Sequence, residues 1–229
     1  MELELKKECL DTYELGEPQT LTQEETAETI VPDYCPDIAR IISAEGVVCL
    51  HGGTEQDGVT GTVRVTVLYT PENESGVRAL EFAMPFSAQG EGLAGCAHVV
   101  VETEIELLES RMLNPRKIFT RCKLVTHLAG YRKVCLTISS DAETDPALLV
   151  EKRCCGQTVS LLRQVAEKDL TFSETMSLSL GREGAAELLH CRANGIVTET
   201  KAIGNKLIFK GVFLVSALYR TCLLYTSPS

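Results

Sequence analysis

Cysteine and histidine are the side chains here best suited to nucleophilic or metal chemistry, and they fall in three arrangements. Cys35 sits between two aspartates in VPDYCPDIARII, residues 31–42. Cys96 and His98 lie two apart, and His190 and Cys191 are neighbours. A cysteine nucleophile needs a histidine or a cation close by to lower its pKa. No histidine lies within the Cys35 stretch, and the nearest in sequence, His51, falls at the end of an expected strand. Structural zinc sites use C-x-x-C-type spacing, and none of the ten cysteines forms such a pair. The G-x-S-x-G, H-E-x-x-H and G-x-x-x-x-G-K-[ST] patterns are also missing. The cysteines therefore read as small apolar residues within β-type sequence. No catalytic, cofactor-binding or metal-ligating residue is expected, and the chain is not expected to be an enzyme.

The elements around these residues are mostly strands. TGTVRVTVLY places Val63, Val65, Val67 and Tyr69 on one face, with Thr62, Arg64 and Thr66 on the other. HVVVETEIEL alternates Val99, Val101, Ile105 and Leu107 against Glu102, Glu104 and Glu106. KIFTRCKLVTHL alternates Ile118, Cys122, Leu124 and Leu128 against Lys117, Arg121 and Lys123. Joined by a short connection at Asn114-Pro115, these last two strands would set a glutamate row against a Lys/Arg row on the solvent side. Leu80, Phe82, Met84 and Phe86 share a face, and Pro85 among them marks an edge strand or a bulge. Turns are expected at 54–58, 71–76 and 202–206. Helix signals are few. Pro36 suits a first helical position, Asp37 the positive end of the dipole, and Ile38, Ile41 and Ile42 the i, i+3, i+4 face, so a short helix is expected over 37–42. A second is expected over 183–189. The fold expectation is mostly β: antiparallel sandwich or barrel-like units in tandem, with few short helices.

Composition narrows the function classes. Apolar residues make up 44% of the 229, enough for a packed core. A formal charge of -10 works against binding a phosphate backbone, so nucleic acid is not an expected partner. The first forty residues are the most acidic part. No apolar run approaches the ~20 residues that span a bilayer. MELELKKE lacks the basic and apolar regions of a secretory signal. A cytoplasmic location with reduced thiols is therefore expected, and a disulfide would need an oxidising destination. A glycan-binding module is a competing class, although it usually shows exposed aromatics; here there is no Trp and aromatics total 5%. A cysteine-dependent enzyme, through Cys35 or through Cys96 with His98, is the other.

Residues 5–70 and 151–220 share an order of features. Lys6, Cys9, Thr12 and Leu15 correspond to Lys152, Cys155, Thr158 and Leu161. AEGVV (44–48) corresponds to ANGIV (193–197), and GTVRVTVLY (61–69) to GVFLVSALY (211–219). The domain expectation is a first β unit over 1–148 and an incomplete second over 149–221. The last stretch, CLLYTSPS (222–229), is similar to one reading frame of a common transposon-based sequencing adapter. It is expected to be a non-native tail on a longer protein.

VPDYCPDIARI, RVTVLY, ALEFAMPFS and NPRKIFTR, in that order, resemble the SPOCS-domain spore-coat morphogenesis family of endospore-forming bacteria. EKDLTFSETMSL and the following NKLIFKGVFLVSALY look like the start of a second such unit. The resemblance implies a non-enzymatic protein, made in the mother cell and acting at the forespore surface and spore coat through other coat proteins. Relatives often carry a C-terminal LysM module, missing here, which is credited with binding the coat-basement ATPase. The family has no established catalytic site. The recognisable motif residues are Pro32, Asp33, Pro36, Asp37, Ile38, Arg116 and Lys117. They are candidates for a contact surface or, more simply, for holding the fold.

Overall fold

A computed structural model describes residues 4–51, 58–143, 151, 153, 156, 158–168, 171, 173–175 and 186–221. It is all-β. The strands are β1 (Glu4–Leu15), β2 (Gln19–Ile30), β3 (Ile38–Leu50), β4 (Gly58–Pro71), β5 (Arg78–Gln89), β6 (His98–Asn114), β7 (Lys117–Glu143), β8 (Ala186–Ile203) and β9 (Lys206–Thr221). Every pairing is antiparallel. The long β7 organises the first sheet. On one side it pairs β2 along Lys117–Leu128 and then β1 along Tyr131–Glu143; on the other it pairs β6. The second sheet runs β3-β4-β5, and β8-β9 form a separate two-stranded sheet.

The first two sheets close face to face as a sandwich. Val63, Val65, Val67 and Tyr69 of β4 pack with Leu80, Met84 and Phe86 of β5 against Ile118, Cys122 and Leu124 of β7. Strict period-two alternation drives this, because each of these strands keeps one apolar face. Pro85 lies on β5, an edge strand, where a missing N–H costs no ladder bond. Close approach sets two glycines. A Cβ on Gly61 would lie 2.5 Å from the Phe86 ring, and one on Gly46 would lie 2.7 Å from Ile105 Cδ1.

The outer face of the first sheet carries the expected charge ladder, with acid on both flanks. Arg121 meets Glu109 of β6 at 2.9 Å and Glu24 of β2 at 4.0 Å. Lys123 meets Glu106 at 2.8 Å, and Lys117 pairs with Glu28. On the inner face two hydroxyls of β7 are buried and satisfied by neighbours on β6: Thr126 with Thr103 at 3.1 Å, Thr120 with Ser110 at 2.8 Å. Exposed pairs contribute little singly, so sign reversal reads the ladder best. Arg121→Glu would set three carboxylates side by side. Urea unfolding should show a loss of about 1–2 kcal/mol at low salt, shrinking at about 1 M NaCl. A loss independent of salt would point to packing instead.

Three expectations need correcting. Residues 38–42 are strand, not helix: the Ile38 N–H goes to Pro115 O at 2.9 Å, and Ile38 then enters the β4 ladder opposite Pro71. Residues 186–189 open β8 rather than ending a helix, while 183–185 lie outside the described residues. Finally, the β6 register shifts between Ile105 and Leu107, an extra residue that re-aims the side chains. Leu107 is thereby exposed, and Leu108 packs against the core in its place. The turn expected over 54–58 and the tail at 222–229 fall largely or wholly outside the described residues. The turn at 202–206 is a two-residue connection, with Ile203 opposite Lys206.

Candidate functional site

Residues 31–37 carry the chain from β2 in one sheet to β3 in the other. The turn is closed locally by the Cys35 N–H donating to Pro32 O at 2.9 Å. Its two ends are tied to the tip of the β6–β7 hairpin. The Val31 N–H donates to Arg116 O and the Ile38 N–H to Pro115 O, both at 2.9 Å. That tip is a two-residue loop, Pro115-Arg116, between paired Asn114 and Lys117. Asn114 Oδ1 accepts the Arg116 N–H at 2.9 Å, which suits an Asx-type turn.

Arg116 then reaches back into the corner. Its Nη1 donates to Cys35 O at 2.7 Å and Asp37 Oδ1 at 3.0 Å. Its Nη2 donates to Val31 O at 2.9 Å and Asp33 Oδ1 at 3.1 Å. A planar guanidinium fork suits this task, because it presents several donors in one fixed geometry. Asp33 is fully solvent-exposed and Asp37 about half so, so the ion pairs are weak and the two carbonyl bonds matter more. Tyr69, fully buried at the end of β4, donates its hydroxyl to Pro36 O at 3.4 Å. Burial, then the neighbouring Cys35 thiol, pushes the phenol up to about 12. The Glu72 N–H completes the junction at Asp37 O, 2.9 Å away.

Six of the seven motif residues thus meet at one corner: Pro32, Asp33, Pro36, Asp37 and Ile38 form it, and Arg116 clamps it. Lys117 points elsewhere, into the outer charge ladder with Glu28. The connection expected at Asn114-Pro115 is found, and what the sequence did not show is Tyr69 as a hydroxyl donor. The Asn-Pro dipeptide signals the turn; nothing local signals the Tyr69 bond. The geometry is that of a structural latch. Cys35 contributes its carbonyl, and its half-buried thiol lies near the Tyr69 hydroxyl.

The other cysteine and histidine arrangements are dispersed. Cys96 closes a turn with Leu93 and sits over Gly130, whereas the His98 ring tilts against Tyr13 at 5.6 Å. His190 pairs with Glu45 at 2.9 Å, and the adjacent Cys191 is exposed. Among the described residues, no group of three or more His, Cys, Asp or Glu is placed to hold a metal ion. Cys122 is fully buried, which pushes its thiol up to about 11. Cys9 of β1 and Cys135 of β7 are joined as a cross-strand disulfide with Cα atoms 5.7 Å apart, which corrects the expectation of reduced thiols at these two positions. Alkylation separates these cases. Iodoacetamide at about pH 8 should label Cys191 in the native protein, Cys122 only after denaturation, and Cys9 and Cys135 only after reduction. Native labelling of Cys122 as fast as Cys191 would contradict its burial.

No protein-family model, curated protein or solved structure matches the chain.

Proposed function

We propose that the chain is a non-enzymatic assembly protein of the bacterial spore coat, acting through protein–protein contacts at the forespore surface. The observation that carries this reading is the corner latch. VPDYCPDIARI, RVTVLY and NPRKIFTR, three stretches on which the family resemblance rests, lie far apart in sequence. Through Asp37, Tyr69 and Arg116 they contribute to one hydrogen-bonded junction. A shared motif set that builds one fold feature is what a common domain needs, whereas chance similarities have no reason to converge. The latch uses its polar groups on itself, as a scaffold does. Its partners would be other coat proteins, with the coat-basement ATPase engaged through a further LysM module.

The test is a fluorescent fusion and a deletion in the sporulating host that carries the gene. The expected result is a shell of signal around the forespore, with detached or mislocalised coat in the deletion strain. Diffuse signal together with normal coat would overturn the reading.

A further inference from the structure

β7 outruns two of its three partners. Its pairing with β2 ends at Leu128 and with β6 at Tyr131. From Tyr131 to Glu143, among the described residues, β7 pairs with β1 alone. This two-stranded ribbon buries little apolar surface: Leu5, Leu136 and Ile138 are 43%, 42% and 38% exposed. Its base is tied to the sandwich, with the Gly16 N–H donating to Gly130 O at 2.8 Å and the Tyr13 ring against His98. Farther out, Lys133 meets Asp11 only at 3.8 Å, Ser140 Oγ reaches Lys6 O only at 3.4 Å, and the register shifts between Lys6 and Lys7. A two-stranded ribbon is marginal in water on backbone pairing alone.

The covalent bond sits in this ribbon. Cys9 lies opposite Thr137 and Cys135 opposite Asp11, so the disulfide crosses the ladder diagonally on one face. Both cysteines are exposed, and an external thiolate can reach either sulfur. β1 also holds a later stretch of chain: Leu162 O accepts from the Tyr13 N–H at 2.8 Å and from the Thr12 hydroxyl at 3.0 Å. Whatever fixes β1 therefore helps to fix that stretch as well.

We propose that Cys9–Cys135 is a redox-operated latch. Oxidised, it holds β1 on the outer half of β7; reduced, it lets β1 come away while the sandwich stays folded. The reductant is a dithiol. Its thiolate attacks one protein sulfur, the S–S bond breaks, and a mixed disulfide forms. The second reductant thiolate then displaces the protein sulfur. Two electrons and two protons pass to the protein, which gains two thiols, and the reductant leaves as its own disulfide. The sandwich core closes without this bond, through Val63, Tyr69, Ile118 and their neighbours. The inference rests on the ribbon and stands whether or not the protein belongs to a spore coat.

The test compares amide hydrogen exchange of the full chain before and after dithiothreitol, at one pH. The expected result is at least tenfold faster exchange at the paired amides of 7–11 and 135–139. Amides of 63–67 in β4 should remain slower than these in both states. Cys9→Ser combined with Cys135→Ser should exchange fast along β1 without reductant and should not respond to it. Unchanged exchange along β1, with both thiols shown free by alkylation, would overturn the proposal, because backbone pairing alone would then hold the ribbon. So would β1 and β4 exchanging in step after reduction, which would make the disulfide a staple of the whole fold. Slow exchange along β1 in the double serine variant would also overturn it.

Discussion

Arg116→Ala should cost the fold about 2–4 kcal/mol, read by urea or thermal unfolding as a fall in Tm of roughly 5–12 °C. The substitution removes four donated hydrogen bonds, two of them to the carbonyls of Val31 and Cys35. Val31 is fully buried, so its carbonyl would lose a charged donor where water has poor access. The exposed Asp33 pair contributes little of this sum. Arg116→Lys keeps the charge but not the fork. One ammonium on a flexible stem does not match donors directed at four acceptors, so lysine should recover less than half of the loss. The backbone ties from Val31 and Ile38 to the hairpin tip remain in both variants. The corner should therefore loosen while the sandwich still folds. A loss below about 0.5 kcal/mol for the alanine variant would mean that those backbone ties hold the corner unaided.

The parts of this fold that were readable in the sequence are those written in local period. Val63, Val65, Val67 and Tyr69 alternate with polar partners, and all four are buried in β4. The β6–β7 charge ladder follows from the same alternation only in part, because the bulge is what turns Glu109 toward Arg121. What the sequence hid depends on residues far along the chain. The donors that fix the corner come from Arg116, 79 to 85 residues beyond their acceptors. Cys9 meets Cys135 across 126 residues. The bulge that exposes Leu107 and turns the partly buried Leu108 onto the core is set by pairing with β7, and nothing in HVVVETEIELL marks its place. The motif residues were picked out by resemblance. Their proximity required the strand order, which composition and spacing do not encode.

Ile38 and Ile42 separate the two readings of the opening motif, and their truncations should differ by several kcal/mol. In a helix over 37–42, Ile38, Ile41 and Ile42 would share one buried face, and each change to alanine would cost a comparable amount. In strand β3, Ile38 is fully buried in the main core and Ile42 is 50% exposed. Ile38→Ala should therefore cost about 2–5 kcal/mol, the transfer term plus the cavity left among side chains that collapse only partly. The core cluster to which it belongs draws on both sheets and includes Tyr69 and Ile118, so relaxation must move two layers at once. Ile42→Ala should stay within about 0.5 kcal/mol, apart from a small effect of strand propensity. Equal losses at the two positions would restore the helix and remove the strand on which the corner latch depends. A large loss at Ile38 alone fixes the start of β3 and, with it, the distance over which Arg116 must reach.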